Sequence, residues 1–190
     1  MEDISTKEDK ELVLLSKQDS AYFTELISRY EDKLGRYILR LGKFSKEDKE
    51  DILQNVFIKV YQNLNEFDIA LPFSSWIYRI THNETISFFR RTRSRPEGYS
   101  IDVEEYILNN IAGDIATDAN TEKEINKEIL QKAIAELPPH YRDITVLRYF
   151  EDKSYEEISD ILRISPGTVA TRISRAKQNI KKFIINKINI

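Results

Sequence analysis

Between Pro72 and Pro96 the sequence interleaves aromatic rings with cations and amides: Phe73, Trp76, Tyr78, Phe88 and Phe89 alternate with Arg79, His82, Asn83, Arg90, Arg91 and Arg93. Rings that offer a π-face to an unpaired base, beside guanidinium groups that track its phosphates, suit single-stranded nucleic acid, at about 1–3 kcal/mol per stacked base. Core packing competes for the same rings, and Trp76 with at least one Phe is expected to serve it. The density of Arg and amide side chains among them favours the nucleic-acid reading. A second basic group, Arg172, Arg175, Lys177, Lys181 and Lys182, stands near the C-terminus, whereas residues 102–124 are acid-rich. Either cluster alone could be a solvated helix face; two, at the ends of two helical stretches, point to phosphate contact. The net charge of −3 argues against coating nucleic acid by bulk charge, so the cations are placed rather than spread.

Little in the chain supports catalysis. Its two histidines, His82 and His140, form no HExxH spacing or His/carboxylate cluster for a metal, and there is no GxSxG elbow. Five glycines supply no phosphate loop, and no motif implies a cofactor. The paired acids Glu156 and Glu157 are expected to favour a helix N-terminus electrostatically.

The elements that position these groups read as helices. Phe23, Leu26, Ile27, Tyr30, Leu34, Tyr37, Ile38 and Leu41 recur at helical spacing up to Gly42. Ser45 suits the start of the next helix, Glu47 to Leu64, whose apolar stripe is Ile52, Leu53, Val56, Phe57, Val60, Tyr61 and Leu64. The opposite side, Asp51, Gln54, Asn55, Ile58 and Gln62, mixes acid, amide and apolar groups and suits a partner surface as well as solvent. After the break NEFDIALP, Ser74 or Ser75 can cap the aromatic helix, with Trp76, Ile77, Ile80 and Phe88 turned inward. Arg93 to about Thr121 lacks a sustained period and reads as a linker, with at most one short helix near Glu104 to Ile111. Thr121 and Glu124 resemble a capping box, Ile125 to Leu137 forms another stripe ended by Pro138-Pro139, and Tyr141 to Phe150 a further helix.

From Ser154 to Lys182 two amphipathic stripes flank the turn Arg163-Ile164-Ser165-Pro166-Gly167. Ser165 can accept from a free N–H of the second helix, and Pro166 fits its first turn; together these give a helix-turn-helix. The fold class is therefore all-α: two small helical domains, residues 1–95 and 121–190, joined by a flexible linker at 96–120, the C-terminal one a helix-turn-helix. No run approaches the roughly 20 apolar residues of a spanning helix, and Met1 to Lys10 lacks the regions of a signal peptide, so a cytoplasmic protein without membrane insertion is expected. The absence of cysteine permits a reducing compartment.

These segments, in this order, resemble bacterial RNA polymerase sigma factors, specifically the extracytoplasmic-function group that keeps the second and fourth sigma regions. FTELISRYEDKLGRYILRL is similar to the start of region two, DILQNVFIKVYQNLNEF to its polymerase-binding helix, and PFSSWIYRITHNETISFFRR to its promoter-melting segment. The stretch from Ala133 to Lys182 is similar to region four. The resemblance implies a transcription initiation factor, not an enzyme, that binds core RNA polymerase and directs it to promoters.

Residue by residue, it implies that Asp51, Gln54, Asn55 and Tyr61 grip a coiled coil of the largest β-type polymerase subunit. Asn63, Phe67 and Asn83 match the pocket for a base flipped from the non-template strand of the minus-ten element, residues 65–75 the loop that reads it, and Arg79, Arg90 and Arg91 the phosphate contacts. Ala170, Thr171, Ser174 and Arg175 match the face of the recognition helix that enters the duplex at the minus-thirty-five element, with Arg172 and Lys177 placed for packing or backbone. Many relatives carry a basic residue at Ala170 and an Asp at Ser87. The resemblance further implies an anti-sigma factor as partner and, since the sequence ends soon after the recognition helix, no C-terminal sensing domain. The alternative is a free-standing helix-turn-helix regulator that binds duplex DNA as a dimer, with residues 1–95 as a sensor or dimerisation module; a purely protein-binding adaptor would leave both Arg clusters idle.

Overall fold

A computed structural model describes residues 4–92, 101–115 and 126–188, and among these all regular structure is helical. The chain divides into two compact units, the first built mainly on the helices before residue 93 and the second mainly on those after residue 100.

In the first unit α1 (Asp9–Ser16) leads to α2 (Phe23–Leu41), α3 (Lys46–Asn63) and α4 (Phe73–Thr92). Helix α2 buries Phe23, Leu26, Tyr30, Leu34, Tyr37, Ile38 and Leu41, as its periodicity requires. Ser45 caps α3 reciprocally: its hydroxyl accepts from the Asp48 N–H at 3.0 Å while the Asp48 carboxylate accepts from the Ser45 N–H at 3.1 Å. Ile52, Leu53, Val56 and Val60 of α3 are buried, and the helix packs on α4. The N-terminal segment is tied down by polar contacts. The Tyr30 hydroxyl donates to Asp9, and the Arg29 guanidinium donates to the main-chain oxygens of Lys7 at 2.6 Å and Ser5 at 2.8 Å.

The second unit begins with α5 (Glu105–Ile115), inside the stretch expected to be linker. It is no free connector: Ile107, Ile111, Ala112 and Ile115 are buried. Helix α6 (Lys127–Ala135) is capped by Asn126, whose side-chain oxygen accepts from the Ile129 N–H at 3.0 Å; Thr121 and Glu124, expected to form that cap, lie outside the described residues. Pro139 opens α7 (Pro139–Thr145), where its missing N–H costs nothing. The expected helix Tyr141–Phe150 is in fact this short helix followed by one π-turn, Val146–Phe150. Helix α8 (Tyr155–Leu162) carries a reciprocal cap between Ser154 and Glu157, which is what Glu157 is for. It ends at Arg163, left-handed at φ 55°, and the Ser159 hydroxyl donates to the Ile164 carbonyl at 2.6 Å to lock the turn. Ser165 accepts from the Thr168 N–H at 3.2 Å and starts α9 (Pro166–Ile188), whose Val169, Ile173, Ala176, Ile180 and Ile184 are buried. Helix α9 packs on α5, α6 and α7.

Candidate nucleic-acid and protein interfaces

The aromatic stretch of α4 is mostly core. Phe73, Trp76, Tyr78 and Phe89 are buried: Trp76 and Phe residues serve the core as expected, whereas the depth of the whole set corrects the expectation that most of these rings stack bases, and Phe89 rather than Phe88 is the inward ring. The reason is that this end of α4 is covered on more than one side: Trp76, Ile77 and Tyr78, successive and about 100° apart around the helix, are all buried, with Tyr78 meeting Tyr37 at 5.1 Å between ring centres and Phe73 meeting Tyr30 at 5.5 Å. Phe88 is half-buried and meets Phe44 edge-on at 5.7 Å. His82 is also drawn inward, its Nδ1 lying 3.1 Å from the Tyr37 hydroxyl.

What the rings build instead is a wall. Phe67, at the end of the turn following α3, lies 4.7 Å from Trp76 and 5.7 Å from Phe73. On its outer side a cleft of about 250 Å³ is lined by Lys59, Asn63, Glu66, Phe67, Trp76 and Ile80. Asn63 and Phe67 thus share one cleft. Asn83 is exposed on α4, one turn beyond Ile80, and is not among the lining residues. The Asn63 amide donates to the Lys59 carbonyl at 2.7 Å, leaving its oxygen open to a ligand. Lys59 was not anticipated; it stands four residues before Asn63 on the same helix face, and its ammonium reaches the buried Glu84 of α4 at 2.5 Å. Burying a carboxylate is costly unless it is paired, and this pair ties α3 to α4 beside the cleft. Farther along α4, about 15 Å beyond Ile80, Arg90 and Arg91 are exposed, Arg90 donating to the Ser87 hydroxyl at 3.0 Å; Arg79 is half-buried. Arg93 lies outside the described residues.

The outer face of α3 is open. Asp51, Gln54 and Asn55 are exposed, as are Ile58 at 47% and Tyr61 at 50%, so an aliphatic and an aromatic side chain stand in water among acid and amide groups. Tyr61 was expected on the inward stripe; it instead rests its ring against Phe23 at 5.2 Å from the surface side. On α9, Ala170, Thr171, Ser174 and Arg175 are all exposed and form one side of the helix, opposite Val169, Ile173 and Ala176. The Thr171 hydroxyl donates to the Gly167 carbonyl at 2.8 Å. Arg172 and Lys177 are half-buried at its edge.

Among the described residues no group of His, Asp and Glu side chains could hold a metal ion, and no helix is long and apolar enough to cross a membrane.

Two family models match the chain: Sigma-70 region 2 over residues 26–95 and Sigma-70, region 4 over residues 127–180. The chain is 36% identical over 182 residues to the ECF RNA polymerase sigma factor SigW of Bacillus subtilis, covering 91% of this chain and 94% of that one. It is 32% identical over 170 residues to the ECF RNA polymerase sigma-E factor of Haemophilus influenzae, covering 87% and 89%. In fold it is similar to CnrH, solved in complex with the cytosolic domain of CnrY, with a TM-score of 0.67 at 20% identity over 94% of this chain and 97% of that one. It is likewise similar to the sigma factor RpoE of Bartonella quintana, solved with the anti-sigma factor NepR, with a TM-score of 0.59 at 18% identity over 85% and 96%.

Proposed function

The chain belongs to the extracytoplasmic-function group of the sigma-70 family of bacterial RNA polymerase sigma factors, and from that premise we propose how its surfaces divide the work. As a sigma factor it is a transcription initiation factor and not an enzyme: it associates with core RNA polymerase and directs it to promoters. Its relatives match along nearly the whole chain, whereas a free-standing regulator would share only the helix-turn-helix.

The α3 face of Asp51, Gln54, Asn55 and Tyr61 docks on the largest β-type polymerase subunit. Exposed Ile58 and Tyr61 among polar neighbours support this, since interfaces favour a few apolar anchors in a polar rim. Next to it, Asn63, Phe67 and Asn83 receive a base extruded from the non-template strand of the minus-ten element, read by the loop of residues 65–75. The observation that carries this assignment is the shared cleft of Asn63 and Phe67, which offers a fixed aromatic wall and an amide to read a base edge. Extrusion costs a few kcal/mol, and a cleft already walled by packed rings meets that cost without reorganising. Arg79, Arg90 and Arg91 hold the phosphates of the opened strand.

Ala170, Thr171, Ser174 and Arg175 of α9 face the major groove at the minus-thirty-five element. Their common exposure supports this, and Ala170 contributes only an apolar contact, such as to a thymine methyl. Residues 1–95 serve as region two and 121–190 as region four, and within the connecting stretch 96–120 the helix α5 (Glu105–Ile115) is docked rather than free. The protein works in the cytoplasm, where the polymerase is, under an anti-sigma factor; one of its structural neighbours, RpoE, was solved with the anti-sigma factor NepR. Run-off transcription with purified core polymerase and a candidate promoter tests the reading. Promoter-specific transcripts are expected, and their absence while duplex binding persists would return the chain to the regulator class.

A further inference from the structure

Lys177 stands seven residues after Ala170, two turns along α9, and so lies about 10.5 Å farther along nearly the same side of the helix. It and Lys181 are the basic residues in line with Ala170 along this side, and Lys177 is the nearer of the two. Its ammonium, however, is engaged: Nζ lies 2.7 Å from the Asp114 carboxylate of α5. The same carboxylate oxygen accepts from the Tyr149 hydroxyl at 2.5 Å, so a cation of α9 and a phenol of the π-turn converge on one acid of α5. That acid lies outside the stretch matched by the region-four model, residues 127–180.

The geometry points to Asp114 as a further determinant of duplex-DNA affinity: it neutralises Lys177 and so withholds one phosphate contact from the recognition helix. This rests on the assignment of α9 to the duplex. Three observations carry it. First, α5 is held by apolar burial of Ile107, Ile111, Ala112 and Ile115, so its docking does not depend on the ion pair, and Asp114 is free to act as a charge rather than a strut. Exposed ion pairs contribute little to stability, and this pair is partly exposed, at 30% and 44% for the two side chains. Second, Asp114 is held charged. Burial by itself would raise its carboxyl, but Lys177 and Tyr149 outweigh that and keep it below the usual carboxylate range, with Arg148 adding in the same direction. Third, the phosphate term of DNA binding counts cations that can release counterions, and an ammonium already paired with a carboxylate is not one of them. The recognition helix is thus less basic towards DNA than its composition suggests, and whatever draws α5 away restores the missing charge.

Phosphate contacts are sequence-independent, so the test needs no promoter: the full chain is titrated with a mixed-sequence duplex of about 20 base pairs at several salt concentrations. Asp114→Asn is expected to steepen the dependence of log K on log salt by about 0.9, the value of one added contact, and to tighten binding several-fold at 0.1 M salt. Lys177→Gln in the otherwise unchanged chain is expected to move the slope little, and the double variant to return to the parental slope. A gain from Asp114→Asn that persists with Lys177→Gln would mean general repulsion between an acid and DNA, and would overturn the inference. So would unchanged or weakened binding by Asp114→Asn with unaltered helix content by circular dichroism. If the parental chain shows no salt-dependent duplex binding, the assignment of α9 to duplex DNA fails and takes this inference with it; parental binding with a flat cycle defeats this inference alone.

Discussion

The ring of Phe67 lies 4.7 Å from that of Trp76, with 35° between their planes. Phe67 is only 6% exposed, so the residue that walls the base cleft is also a member of the core, continuous through Phe73 with Tyr30 and the anchored N-terminal segment. A preorganised cleft follows from that double membership: the ring cannot swing away without opening the core beneath it.

Truncating Phe67 should therefore damage fold and function together. Phe67→Ala is expected to lower the free energy of unfolding by about 3–5 kcal/mol, as buried Phe→Ala changes do, with a matching loss of promoter opening. Urea unfolding followed by circular dichroism measures the first. A loss below about 1 kcal/mol, the ordinary range for unspecialised positions, would mean the ring is not packed as described.

Asn63 and Asn83 should behave in the opposite way. Both are exposed, so Asn63→Ala and Asn83→Ala are expected to leave stability within about 0.5 kcal/mol. Each should reduce promoter opening, scored by permanganate reactivity of unpaired thymines, more than it reduces binding to core polymerase. Equal loss of both activities would sink the pocket assignment.

The contrast between Phe67 and the α4 rings shows where sequence reasoning succeeds and stops. Helix existence was legible from periodicity, as in α2, and from local chemistry, as in the Ser45 and Ser154 caps and the Ser165-Pro166 turn, because each depends on residues within a few positions. The side to which Phe73, Tyr78 and Phe89 turn depends on α2 and α3, distant in sequence, and the aromatic run carried no sign of it. Lys59 and Glu84 were invisible for the same reason, since their pairing joins two helices. Helix α5 was the weakest signal: a short apolar stripe among acids, whose burial only the partner helices reveal.

On α3, charge reversal should separate docking from folding. Asp51 is exposed and engages its neighbour Asn55 only through its main-chain carbonyl, at 2.8 Å. Asp51→Arg is thus expected to leave stability within about 0.5 kcal/mol and to weaken binding to purified core polymerase at least about tenfold, a 1.4 kcal/mol effect. Polymerase affinity unchanged in a native-gel titration would remove this face from the interface.

Alkaline pH provides a test of the N-terminal anchor. Burial, reinforced by the Asp9 carboxylate, holds the Tyr30 phenol well above its usual value, while Ser74 and Arg29 oppose the shift only in part. Tyr149 is raised in the same way by burial and by Asp114, with Tyr155 adding and Arg148 opposing. A group whose folded pKa is raised stabilises the fold fully below its unfolded value, near pH 10 for tyrosine, and loses that contribution as pH climbs above it. Of the ten tyrosines, these two should resist ionisation until the chain unfolds, visible as a late rise in tyrosinate absorbance. Above about pH 10 the unfolding free energy should fall by roughly 1.4 kcal/mol per pH unit for Tyr30 alone. Tyr30→Phe should remove that component of the slope while costing stability at neutral pH through the lost bond to Asp9. An alkaline slope identical in Tyr30→Phe and the parent would show that the phenol is not buried against Asp9, and that α1 is not anchored through it.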